Sequence, residues 1–97
     1  MKKGYWIATY QKILDGRKLE EYVTLAGPAI KEGGGRMLVR GMPAATFEDG
    51  LSERTVVIEF DSVDAAIKTH NSSSYKKALK ALNGGAVRDL RIVEGTD

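Results

Sequence analysis

Three consecutive glycines, Gly33, Gly34 and Gly35, run directly into the short alternating segment RMLVRG at 36–41 and constrain the fold more than any other stretch. Glycine tolerates positive φ, so the triplet is expected to close a helix, reverse the chain and open a strand. A phosphate loop is a poor match: it follows a strand, precedes a helix and carries a Lys-Ser or Lys-Thr pair. Plain alternation over the following strand sets Arg36 and Arg40 on the face opposite Met37 and Val39.

The segments on either side supply the remaining elements. From Tyr5 to Gln11 the residues are aromatic, β-branched or small, with Trp6, Ala8 and Tyr10 on one face and Tyr5, Ile7 and Thr9 on the other, which predicts a strand. After Asp15-Gly16, Leu19, Tyr22, Val23, Ala26 and Ile30 recur at helical spacing. They predict an amphipathic helix over about 16–32, kinked or interrupted at Pro28. A second strand at 36–41 leads into an arm over 42–53, either a strand extension or a mobile lid, whose Glu48-Asp49-Gly50 tip is flanked by Phe47 and Leu51. Arg54 to Phe60 is a strand with Val56, Ile58 and Phe60 facing the helices. A helix capped by Asp61 or Ser62 carries Val63, Ala66, Ile67 and His70 on one stripe. The stripe resumes after Asn71–Ser74 in Tyr75, Ala78, Leu79 and Leu82 and stops at Gly84-Gly85. Arg88 to Glu94 is the last strand.

That order, βαβ twice over, predicts an α+β fold: a ferredoxin-like βαββαβ sandwich, a four-stranded antiparallel sheet with two helices on one face. The other sheet face has no cover within the chain. It is expected to carry Ile7, Leu38, Val57 and Val93 beside Arg36, Arg40 and Glu59, a mixed apolar and charged surface of the kind that binds something. A second copy of the chain is the economical cover, since two-fold homodimers are the commonest oligomers.

At 97 residues the chain is expected to form a single domain over 1–97. Its 42% hydrophobic content is enough for a core without a metal or crosslink. There is no cysteine, so disulfides and thiolate sites are excluded. Fifteen basic residues against 13 acidic ones, net +2, do not call for a polyanionic partner, and neither nucleic acid nor membrane is expected. The opening MKKGYWIATY is too short in apolar residues for a signal peptide or membrane span, so a cytoplasmic protein is expected. Asn71-Ser72-Ser73 matches a glycosylation triplet but is read as a turn between helices.

Arg36, Arg40 and Glu59 are the first candidates for chemistry. Beside two guanidiniums a carboxylate has its pKa lowered, so Glu59 is a poor general base, whereas the arginines suit a bidentate grip on a substrate carboxylate. The competing reading is an ion-pair cluster that sets register at a subunit interface. His70, the only histidine, lacks the partners a metal or haem site needs and suits a helix end. If the chain catalyses anything, His70 with Tyr75 is the pair to suspect. Tyr5, Trp6, Tyr10 and Tyr22 are read as core or interface aromatics. An RNA-recognition domain shares the topology, but RTVVIEF lacks its basic and aromatic signature. An acylphosphatase-like cradle needs a glycine-rich loop after the first strand, where only Gly16 stands.

Gly4-Tyr5-Trp6, Gly34-Gly35-Arg36 with Val39-Arg40-Gly41, the Glu59-Phe60 strand end, Ser72 and Tyr75, and the closing Val93-Glu94-Gly95 together resemble the domain of unknown function 1330 family, of the dimeric α+β barrel superfamily. The resemblance spans nearly the whole chain. It implies two ferredoxin-like subunits placing their sheets face to face, with a cleft between helices and sheet or within the barrel. It also implies kinship to small monooxygenases, haem-degrading enzymes, muconolactone isomerases and dehydratases, but no agreed activity. The chain departs from the family pattern at Leu51, His70, Ser73-Ser74 and Leu82. The expectation is therefore a homodimer that binds a small anionic organic molecule near Arg36, Arg40, Glu59, His70 and Tyr75 without metal or cofactor. The alternatives are a cofactor-free monooxygenase or isomerase and a structural or regulatory dimer without ligand.

Overall fold

The computed structural model describes residues 2–97. Seven elements follow in order: β1 (Gly4–Ile13), α1 (Gly16–Glu32), β2 (Arg36–Gly41), β3 (Thr55–Phe60), α2 (Val63–His70), α3 (Ser73–Leu82) and β4 (Ala86–Glu94). The strands form one antiparallel sheet in the order β2-β3-β1-β4, the ferredoxin-like arrangement.

Each helix begins where a short polar side chain satisfies the first free backbone amides. Asp15 accepts from the amides of Arg17 (3.0 Å) and Lys18 (3.3 Å). Ser62 accepts from Ala65 (3.1 Å). Ser72 accepts from the Tyr75 amide at 3.2 Å while donating to the Thr69 carbonyl at 2.7 Å. That third cap falls in the expected Asn71–Ser74 break and opens α3 as a separate helix. Pro28 lies inside α1 without splitting it. The preceding Gly27 has no Cβ to crowd the proline ring.

Of the three glycines, only Gly34 (φ 90°) takes a positive φ. Gly33 and Gly35 are small for a different reason. A Cβ on Gly33 would lie 1.9 Å from Thr69 Oγ1, and one on Gly35 would lie 2.6 Å from Ile30 Cγ2 and 2.9 Å from Phe60 Cζ. The triplet is thus one reversal flanked by two close approaches.

Alternation puts Trp6, Ala8, Tyr10, Val56, Ile58 and Phe60 under the helices, where Tyr22, Ala26, Ile30, Tyr75 and Leu82 meet them. Trp6, Ile58, Phe60 and Tyr75 are the largest fully buried side chains, and burying each contributes about 1.5–3 kcal/mol. The Tyr75 ring meets Trp6 edge-on, with centroids 4.9 Å apart. The molecule is a slab of 36 × 33 × 15 Å, one layer of sheet under one layer of helices. Its second sheet face is uncovered and leaves Val39, Val87 and Val93 exposed. The 42–53 arm forms no strand. Phe47 at its tip is 80% exposed, and Gly50 N–H donates to the Phe47 carbonyl at 3.0 Å.

Candidate functional site

A β-bulge decides where the arginines of β2 point. Arg36 pairs with Glu59 and Met37 with Ile58, but the next pairs are Val39 with Val57 and Arg40 with Val56, leaving Leu38 as the extra residue. Each residue beyond a bulge moves to the other face. Arg36 and Val39 therefore share the open face, while Arg40 joins Met37 on the helix-facing side. The expectation of Arg36, Arg40 and Glu59 on one face is corrected by that single inserted residue.

On the open face Arg36 Nε donates to Glu59 Oε1 at 3.1 Å, and the Tyr5 hydroxyl donates to Glu59 Oε2 at 2.9 Å. Arg36 also meets Asp61 at 3.1 Å, and Lys3 lies 3.5 Å from Asp61. The Tyr5 hydroxyl first, and then Arg36, hold the Glu59 carboxyl below its usual pKa. Both carboxylate oxygens are engaged, so this group is an ion-pair cluster and no waiting base.

Arg40 enters a different place, a cleft of about 50 Å³ between α1 and the sheet. Its floor is Trp6, Ala8, Tyr10, Val56 and Ile58; its roof is Tyr22, Val23, Ala26 and Ile30 of α1; Arg40, Arg54 and Arg88 stand around it. Tyr10 pairs with Arg88 of β4 on one side, and its amide donates to the Arg54 carbonyl at 2.9 Å on the other. The guanidinium carbons of Arg54 and Arg88 lie 5.7 and 5.6 Å from the Tyr10 ring centre, within cation–π range. Arg88 also sits 4.7 Å from the Tyr22 ring centre.

Two buried phenols fix Arg88. Its Nη1 donates to the Tyr22 hydroxyl at 3.0 Å and its Nη2 to the Tyr75 hydroxyl at 3.4 Å, while the two hydroxyls lie 2.7 Å apart. Burial, followed by the neighbouring Tyr22, pushes the Tyr75 phenol well above its ordinary pKa, so it stays protonated. Burial works against the Arg88 charge, yet its interactions with Tyr22 and Tyr75 hold its pKa above the usual value. Among the described residues no carboxylate lies within 4.0 Å of Arg40, Arg54 or Arg88. Among the same residues the buried Nε of Arg54 has no hydrogen-bond partner. A buried unpaired donor costs about 1–3 kcal/mol, more when charged.

The five residues singled out in the sequence thus occupy separate places. Arg36 and Glu59 are together on the open face, and Arg40 is in the cleft. Tyr75 lies behind the cleft wall with its hydroxyl on Tyr22 and Arg88. The His70 ring lies tilted against Trp6 and Tyr75, with centroids 5.4 and 5.1 Å away, and lines a shallow groove with Ile67, Asn71, Leu90 and Ile92. His70 therefore meets the Tyr75 ring, not its hydroxyl. Arg54 and Arg88 escaped the sequence reading, although period-2 alternation marks both. Arg54 shares the face of Val56, Ile58 and Phe60, and Arg88 shares that of Leu90 and Ile92, a lone cation on an otherwise apolar strand face in each case.

A family model described as Domain of unknown function (DUF1330) matches residues 3–96. No curated protein matches the chain. Among solved structures, the protein of unknown function RPA0582 from Rhodopseudomonas palustris is similar at 17% identity and TM-score 0.74, over 99% of this chain and 82% of that one. A putative antibiotic biosynthesis monooxygenase from Caulobacter crescentus matches at 16% identity and TM-score 0.64, over 99% of this chain and 92% of that one. SnoaB, a cofactor-independent oxygenase from Streptomyces nogalater, matches at 10% identity and TM-score 0.63, over 100% and 96%. These likenesses establish the α+β fold of the chain. Among the described residues no helix is long and apolar enough to cross a membrane.

Proposed function

The chain belongs to the DUF1330 family, and we propose that it binds a small organic anion in the cleft between α1 and the sheet, as a homodimer whose open sheet faces pack together. The observation that carries the binding reading is three guanidiniums without a carboxylate partner around an aromatic and aliphatic cleft. Arginine grips carboxylates through paired charge-assisted hydrogen bonds, each worth about 1.5–3 kcal/mol where water is excluded. The apolar floor and roof supply the complementary surface for a hydrocarbon body. The inner lining is arginine, aromatic and aliphatic, a set that holds and orients a ligand and offers no proton acceptor, so binding is favoured over an oxygenase or isomerase reaction.

The slab shape supports the dimer. The slab is 15 Å thick with one sheet face bare, and pairing that face with a second copy about a two-fold axis is the commonest way to cover it. In that assembly the Arg36–Glu59–Asp61 cluster lies at the interface and sets its register.

Light scattering across a dilution series should give a mass twice the 10.6 kDa of the chain. A melting-temperature screen with aliphatic and aromatic carboxylates should show stabilisation, lost in Arg54→Gln. A stable monomer would remove the dimer, and a full carboxylate panel without any shift would remove the binding site.

A further inference from the structure

The basic residues of the cleft form a row across the sheet. Arg88 on β4, Tyr10 on β1 and Arg54 beside β3 are neighbours in register on the helix-facing side. Arg40, paired with Val56 two residues beyond Arg54, continues the row onto β2. Arg54 and Arg88 are two strand spacings apart, roughly 10 Å, with the Tyr10 ring between them.

The two ends of this row meet different spaces. Arg88 lines the narrow inner cleft. Arg40 and Arg54 line both that cleft and an adjoining open mouth of about 580 Å³, whose other walls are Leu19, Glu20, Val23 and Thr24. Glu20 is the one acidic residue lining either space. Three guanidiniums and one carboxylate leave the site at net +2, and a monoanion would still leave one positive charge uncompensated. Arg40 and Arg54 are diagonal neighbours on one sheet face, and like charges so placed repel until an anion lies between them.

Resting on the anion-binding reading above, we infer that the ligand is a dianion, a dicarboxylate with an apolar spacer. One carboxylate meets Arg88 at the inner end, and the other meets Arg40 and Arg54 at the mouth. The spacer crosses the edge of the Tyr10 ring beneath Val23 and Ala26. Because Tyr22 and Tyr75 hold Arg88 in place, the inner subsite is fixed, and the separation of the two acids becomes the selected property.

The test is calorimetric titration at pH 7.5 with the α,ω-dicarboxylates from succinate to suberate, each compared with its monomethyl ester. The expected result is an affinity optimum at one chain length, where the diacid binds at least tenfold tighter than its ester. Arg40→Gln, a change at an exposed side chain, should erase that preference, and Arg88→Gln should do the same. Equal binding of diacids and esters, with both weakened in the variants, would overturn the two-ended ligand while leaving an anion cleft. Absence of binding by every acid and ester would remove the cleft reading and this inference together.

Discussion

Substituting Gly33 by alanine tests whether this position is glycine for space or for backbone freedom. Its φ of −77° suits any residue, so a backbone argument predicts no cost and even a gain of about 0.5–1 kcal/mol from lower unfolded-chain entropy. The close approach predicts the reverse. The new Cβ would stand 1.9 Å from Thr69 Oγ1 and 2.9 Å from Thr69 Cβ and Cγ2. Thr69 is 4% exposed, and its hydroxyl donates to the Ala65 carbonyl at 2.9 Å. Turning it away forfeits that bond, worth about 1 kcal/mol, and adds overpacking of about 1–3 kcal/mol. The net expectation is a loss of about 2 kcal/mol, a fall of roughly 8–16 °C in Tm for a domain of this length. Thermal and urea melts of Gly33→Ala, Thr69→Ala and the double variant measure it. Truncating Thr69 removes the closest atom, so Gly33→Ala should cost about 1 kcal/mol less in that background. Strict additivity, or a stabilised Gly33→Ala, would refute the steric account.

Gly34→Ala has open space but a positive φ, so it should cost about 1–2 kcal/mol with no dependence on Thr69, again read from melts. Glu59 is held below its ordinary pKa of 4.5 by Tyr5 and Arg36. A depressed folded pKa gives stability that is present above the unfolded value and lost as pH falls through the folded one. Melting temperature should therefore drop more steeply below pH 4.5 in the parent than in Glu59→Gln, and parallel pH profiles would contradict the network. Val93→Asp, on the open face and 46% exposed, should leave the subunit folded but monomeric by sedimentation, whereas an unchanged dimer would place the interface elsewhere.

The element order, the bounds of α1 and the buried faces of β1 and β3 were legible because each rests on local periodicity. Trp6, Ala8 and Tyr10, like Val56, Ile58 and Phe60, announce their common face through alternation alone. The bulge at Leu38 left no such mark, because leucine suits a regular strand as well as an irregular one. Its effect on Arg40 depends on pairing with β3, across the intervening 42–53 arm. The roles of Gly33 and Gly35 were equally hidden, since both depend on side chains brought close by tertiary packing. His70 and Tyr75 share one apolar stripe in sequence, but the Ser72 cap between them reorients α3, so the imidazole faces a ring and not an oxygen. Arg54 and Arg88 stood in readable positions. What alternation does not convey is that α1 leaves an opening above them.

The inserted residue at Leu38 makes β2 a strand of two allegiances. Upstream of it side chains obey one parity, downstream the other, so Arg36 addresses the open face and Arg40 the cleft although only four positions separate them. Removing one residue from this six-residue strand would invert the downstream half, withdrawing a cation from the cleft and adding one to the open face. Length variation at this point is consequently a coarse switch between two surfaces, and relatives aligned across it without regard to the count would have their equivalent arginines assigned to the wrong side of the sheet.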